Sequence, residues 1–136
     1  MNRLLQGDVG SGKTVISEIA MYCCVKSGYQ AAIMAPTEIL AKQHFNTLKK
    51  DFSERNIKVE LLVGGMKISE RKLILERLKS KDIDILVGTH AILRDDVIFN
   101  KLGLAITDEQ HRFGVEQRQR LSDKGEKPNL MIMTAT

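Results

Sequence analysis

A parallel sheet flanked by helices on both faces is predicted by two observations. Short apolar runs alternate along the chain with segments of helical periodicity, and a glycine-rich loop stands between the first run and the first helix. Length agrees, since 136 residues make about one domain with room for one core. Hydrophobic residues at 43% and charged residues at 28% are ordinary for a globular chain and argue against disorder. A single α/β domain over residues 1–136, with about six strands, is therefore expected.

Arg3 to Gln6 forms the first strand. After the glycine loop a helix runs from Lys13 to about Ser27, apolar around much of its circumference and so expected to be deeply packed. Ile16, Ile19, Ala20 and Cys23 make its buried stripe, and Gly28 suits its stop. Ala31 to Ala35 is the second strand, ended by Pro36. Thr37 then caps a helix whose Ala41, Phe45, Leu48 and Phe52 recur at helical spacing, with Lys42, Lys49 and Lys50 on other faces. Val59 to Val63 is the third strand, and Ser69 caps a helix through Lys79 with Ile74, Leu75 and Leu78 inward. Ile83 to Val87 and Leu102 to Thr107 give the fourth and fifth strands. A polar helical stretch from about Val115 to Leu121 precedes a sixth strand, Leu130 to Met133. No repeat, linker or low-complexity segment interrupts the pattern.

Several function classes fall away. No apolar stretch approaches the ~20 residues of a membrane helix and nothing resembles a signal peptide, so a cytoplasmic protein with no membrane partner is expected. The net charge of +4 permits a polyanionic partner without requiring one. Cys23 and Cys24 are neighbours whose side chains point about 100° apart on a helix, which argues against a disulfide or a chelating pair. His44, His90 and His111 lack metal-ligand spacing, so no zinc site is proposed.

Gly7-Asp8-Val9-Gly10-Ser11-Gly12-Lys13-Thr14 fits G-x-x-x-x-G-K-[ST] between a strand and a helix. Its glycines let consecutive backbone N–H groups wrap phosphates, and the helix amino end favours negative charge. In that loop Lys13 reaches the β- and γ-phosphates of a nucleotide while the Thr14 hydroxyl ligates Mg2+. Asp108-Glu109-Gln110-His111 follows the fifth strand. Asp108 is the direct or indirect partner of the magnesium, and Glu109 the group that orients or deprotonates the attacking water. A nucleoside triphosphatase is the chemistry these two segments share.

Ligands of a parallel α/β fold collect outside the carboxyl ends of the strands. Pro36-Thr37-Glu38, Gly64-Gly65, Gly88-Thr89-His90 and Thr134-Ala135-Thr136 all fall there. Small hydroxyl residues and helix amino ends in such places can bond phosphodiester oxygens without reading sequence. Each taken singly is also a helix cap or tight turn, and Thr37 can be both.

Together these segments resemble the superfamily 2 helicases. The phosphate loop, Ala35 to His44, Gly88-Thr89-His90-Ala91, Asp108 to His111 and Thr134-Ala135-Thr136 look like motifs I, Ia, Ib, II and III, in order. More narrowly, Leu5 to Thr14 and Asp108 to Arg118 are similar to the bacterial ATP-dependent helicases that remodel branched DNA. Transcription-repair coupling translocases, the neighbouring branch, carry an aromatic where this chain has Ser11 and a Glu where it has Gln110; both departures point to the branched-DNA group. The resemblance covers essentially the whole chain.

The resemblance implies a RecA-like P-loop fold, ATP and Mg2+ as cofactors, and ATP hydrolysis coupled to movement along duplex DNA at stalled forks and Holliday junctions, in repair and recombination. It implies that DNA passes over Thr37, Gly88, Thr89 and His90, and that His111, Thr134 and Thr136 couple the nucleotide to that face. Arg112 and Phe113 match the loop after motif II, where a base or a neighbouring lobe is sensed, with a core role for Phe113 as the alternative. The family usually shows Thr-Gly-Ser where this chain reads Val63-Gly64-Gly65, which removes the hydroxyls of one DNA contact. Members also have a segment that helps hold adenine, a wedge domain that recognises branched DNA, and a second motor lobe supplying an arginine finger. The chain is thus expected to be an excised first lobe, truncated before the second, and a poor ATPase alone, since such a finger is worth ~10³–10⁵ in rate. Two readings of the residues stay open: a nucleotide-binding switch without DNA work, and a binding module that adopts the fold without turning ATP over.

Overall fold

The alternation of apolar runs and helices resolves into six strands and three main helices in a computed structural model describing residues 2–7, 12–108, 119–121, 123–125 and 128–135. In chain order these are β1 (Asn2–Gly7), α1 (Gly12–Lys26), β2 (Gln30–Met34), α2 (Glu38–Asp51), β3 (Val59–Leu62), α3 (Ile68–Lys79), β4 (Ile85–Gly88), β5 (Leu102–Asp108) and β6 (Asn129–Ala135). Short 3-10 turns cover Ser53–Arg55 and His90–Leu93. The sheet order is β1-β6-β5-β2-β4-β3, and every neighbouring pair is parallel. No helix among the described residues is long and apolar enough to cross a membrane.

Strands paired in parallel on both sides must be covered on both faces, which is why the central ones read as continuous apolar runs. All residues of β2 and β4 are buried. On one face Ala31, Ile33, Ile85, Val87, Leu104 and Ile106 pack beneath Met21 of α1, Ala41 and Leu48 of α2, and Phe52 just after α2. On the other, Ala32, Met34, Leu86 and Ala105 lie beneath Ile74 and Leu78 of α3, together with Ile92, Leu93 and Leu121. The expected layered architecture is therefore present.

Two local expectations fail. Of the expected inward stripe of α1 only Ala20 packs against the core: Ile16 and Ile19 are 47% and 57% exposed, Cys23 is exposed and both cysteines are free thiols. Ser17 and Met21 point inward instead, with Cys24 half-buried beside them. A helix apolar on several sides has no unique moment, so the sheet rather than the periodicity chooses its buried face. Burial also pushes the Cys24 thiol up to about 11, which makes it a poor nucleophile. At α3, Lys67 rather than Ser69 precedes the helix, with no side-chain cap. Packing of Ile74 and Leu78 holds that helix without one.

Gly28 does stop α1, at φ +92°, a conformation that glycine adopts without strain. Its N–H donates to Val25 O at 3.0 Å and Tyr29 N–H to Cys24 O at 3.1 Å, closing the helix end. The chain then enters β2 through Gln30, a fully buried polar residue. Gln30 Nε2 donates to Leu78 O (2.9 Å) and Ile83 O (2.8 Å), and its Oε1 accepts from Lys101 N–H at 2.9 Å. One amide thereby joins the end of α3, the approach to β4 and the approach to β5.

Candidate nucleotide and DNA edge

Because all pairs are parallel, the six strands end along one edge of the sheet. Register fixes the order: Gly7 lies beside Ala135, Asp108 beside Met133, Thr107 beside Met34, Met34 beside Gly88, and Gly88 beside Leu62. Neighbouring strands are about 4.8 Å apart, so β1 and β5, with β6 between them, stand about 10 Å apart. Gly7 ends β1, Gly12, Lys13 and Thr14 open α1, and Asp108 ends β5. Thr134 is in β6, between the two. The start of the phosphate loop and the first acid of the tetrad are thus gathered around one strand. Asp8, Val9, Gly10, Ser11, Glu109, His111, Arg112, Phe113 and Thr136 lie outside the described residues.

The other half of the edge carries Thr37, Gly88, Thr89 and His90. Thr37 adopts an extended backbone before α2, and its Oγ1 accepts from Leu40 N–H at 3.2 Å. That is the expected cap, and it places the positive end of α2 at the edge. Thr89 precedes the 3-10 turn, its Oγ1 accepting from Ala91 N–H at 3.5 Å. Gly88 O accepts from Ala35 N–H at 2.8 Å, so the ends of β2 and β4 are stitched together. A side chain at Gly88 would run into Leu62 O and press on Ile92 Cγ1 at 2.9 Å. Glycine there is a packing requirement.

The loop beyond His90 is fixed by residues that no motif marks. Arg71 of α3 grips Asp96 with both guanidinium ends, Nη1 to Oδ2 at 2.5 Å and Nη2 to Oδ1 at 2.7 Å. This fork holds the Asp96 carboxyl below its usual range. From the segment after the tetrad, Arg120 and Lys124 reach carbonyls of the same loop. A lone arginine or lysine in a polar stretch carries no periodic or spacing signal, so sequence reading passes over all three.

With this arrangement in view, the comparisons with known proteins are specific. The DEAD/DEAH box helicase family matches residues 1–136. The ATP-dependent DNA helicase RecG of Bacillus subtilis (strain 168) is 57% identical over 136 residues, covering 100% of this chain and 20% of its own length. The chain therefore spans about a fifth of the length of the curated relatives it matches. A structure of RecG bound to a three-way DNA junction superposes with a TM-score of 0.87 at 47% identity, over 100% of this chain and 18% of that one. The helicase MrfA bound to DNA shares the fold alone, with a TM-score of 0.78 at 15% identity, over 99% of this chain and 20% of its own. The chain belongs to the DEAD/DEAH box helicase family, and within it is of the RecG type.

Proposed function

We propose that residues 1–136 form the nucleotide-binding first lobe of an ATP-dependent helicase that remodels branched DNA in the cytoplasm. The observation that carries this reading is the gathering of Gly7, Asp108 and Thr134 on the adjacent strands β1, β5 and β6. The named relatives supply the substrate class: their names give ATP-dependent DNA helicases, and the superposed RecG was bound to a three-way DNA junction.

In this reading residues Gly7 to Thr14 cradle the phosphates, with N–H groups of the loop and the α1 amino end facing the negative charge. Lys13 neutralises the β- and γ-phosphates, and the Thr14 hydroxyl and Asp108 carboxylate are the hard oxygen ligands that magnesium prefers. Magnesium, when bound, supplies charge neutralisation on the transferring phosphoryl group. Glu109 orients the attacking water and takes its proton. Thr37, Gly88, Thr89 and His90 hold the DNA backbone, while His111, Thr134 and Thr136 link that grip to the nucleotide. Arg112 and Phe113 meet a base or the second lobe. Movement comes from two lobes closing and opening around ATP, this lobe being one jaw.

The decisive test is Lys13→Ala in the full-length protein. Fork remodelling driven by ATP is expected to vanish while junction binding in a gel-shift assay stays at its wild-type level. Wild-type unwinding by that variant overturns the assignment. ATP hydrolysis indifferent to every DNA tested favours a nucleotide switch instead.

A further inference from the structure

The three helices differ on the side turned away from the sheet. There α2 exposes Lys42, Lys49 and Lys50, and α3 exposes Glu70, Lys72 and Glu76. The exposed Ile39, Ile68 and Leu73 of those helices have no exposed apolar neighbour one turn away, and such isolated cases are ordinary on a surface. On α1 the exposed side chains are Ile16, Ile19 and Cys23. Spaced three and four residues apart, they share one face of the helix, opposite the buried Ser17 and Met21. A helix apolar on both sides belongs inside a larger body rather than at its boundary.

The same face runs into the seam between α1 and α2. Glu18, Ile19, Tyr22, Asp51, Phe52 and Arg55 line an open pocket there of about 480 Å³. Glu18 Oε1 is buried, and no N–H or hydroxyl donates to it among the described residues. Its neighbour is a second carboxyl, Asp51, so the two share a hydrogen bond only while one of them holds a proton. Arg55 lies over the Tyr22 ring at 5.2 Å. What the pocket lacks is a cationic donor on an apolar stem. A lysine or arginine side chain has that form, with methylenes suited to Ile19 and Tyr22 and a head that bonds carboxylates.

The size of the face narrows the source of that side chain. Two isoleucines, a cysteine and an open pocket fall short of the ~800 Å² that each partner buries in a stable complex of free chains. A segment tethered in the same polypeptide needs less contact, because its effective concentration reaches roughly millimolar. The curated relatives provide such segments, since this chain spans about a fifth of their length. We propose that the outer face of α1 and the adjoining pocket are a docking surface for another segment of the same full-length polypeptide, one that lays an apolar side on Ile16 and Ile19 and extends a lysine or arginine to Glu18 and Asp51. The proposal concerns how the parts of the polypeptide are held together, and it does not depend on the helicase reading.

Two measurements on the full-length protein test it. In the first, Ile19→p-benzoylphenylalanine is irradiated and the product mapped by mass spectrometry. The expected crosslink is intramolecular, to a peptide outside residues 1–136 that contains a lysine or arginine. In the second, maleimide labelling of Cys23 is timed under native conditions, where the docked segment shields it. Ile19→Asp and Glu18→Lys are each expected to speed labelling by about tenfold, the effect on an equilibrium of losing one well-packed contact. Ile19 is exposed, so its variant tests docking without disturbing the core, and the crosslink stands whether or not the Glu18 variant folds. A crosslink between two copies, or none at all, overturns the proposal. So does native wild-type labelling of Cys23 as fast as in the urea-unfolded protein.

Discussion

The β2-β4-β3 half of the strand-end edge and the β1-β6-β5 half put different demands on their residues. In the first, Thr37 caps α2, Thr89 opens the turn at His90–Leu93, and Gly88 leaves no room for a side chain beside Leu62. Thr37, Gly88 and Thr89, candidate DNA-facing residues there, also maintain the fold. In the second, Gly7, Asp108 and Thr134 are set by strand register, around a central β6. Substitutions on the two halves should therefore read out differently: stability and DNA contact move together on one, while nucleotide chemistry moves alone on the other.

Gly88→Ala gives the largest expected effect. The added methyl meets a backbone carbonyl, which cannot swing aside as a flexible side chain would. A loss of about 3 kcal/mol is expected in urea unfolding, typical of overpacking where the backbone must shift. Lys13→Ala on the opposite half should shift the same midpoint by less than ~0.5 kcal/mol, since alanine is at least as good a helix former as lysine in the first turn of α1. Equal losses from the two would erase the distinction between the halves.

Gln30 supplies a reference at the far end of β2, remote from nucleotide and DNA. Gln30→Leu removes three hydrogen bonds and leaves the carbonyls of Leu78 and Ile83 and the N–H of Lys101 without that buried partner. A loss of about 2 kcal/mol is expected from stranding such groups, with DNA affinity unchanged once the folded fraction is accounted for. If junction binding fell as well, stability would be limiting DNA contact everywhere. Thr37→Ala is smaller, about 1 kcal/mol for a lost amino cap. Thr37→Ser should recover stability because the hydroxyl remains, and DNA affinity with it. Recovery of stability without recovery of affinity would show that the methyl group also serves the DNA face.

The same division explains what could be read from sequence. The acid-bearing strand and the Thr37 cap were legible because each depends on neighbours along the chain. Strand existence was legible too, although β4 begins at Ile85 and ends at Gly88 rather than running from Ile83 to Val87. What escaped depends on residues far apart in sequence. Gln30 bonds Leu78, Ile83 and Lys101, and Lys124 bonds Arg94 and Val97; no local period announces such pairs. The buried face of α1 escaped for another reason. Ile16, Ile19 and Met21 offer the sheet several apolar choices, and only the packed structure selects Met21.

Where α1 of one half meets α2 of the other, the contact is a pair of carboxyl groups. Glu18 on α1 is raised from its ordinary 4.5 to about 7, first by burial and then by its hydrogen bond to and charge repulsion from Asp51, against the opposing pull of Arg55. Tyr22, Phe52 and Ile19 line the same pocket of about 480 Å³, and Arg55 and Lys26 both stand over the Tyr22 ring, at 5.2 and 5.5 Å. Between pH 4.5 and about 7 the folded chain holds a proton that the unfolded chain releases. Stability therefore falls as pH rises through that window and is level above it. Glu18→Gln should abolish the slope and, after allowance for solvent screening of a partly exposed group, make the chain about 1 kcal/mol more stable than wild type at pH 8, with no difference below pH 4.5. Urea midpoints across this range decide it. A flat wild-type profile would mean that Glu18 keeps its ordinary value and that the two helices meet without an electrostatic cost, whereas a slope removed by Glu18→Gln places that cost at the seam between the halves.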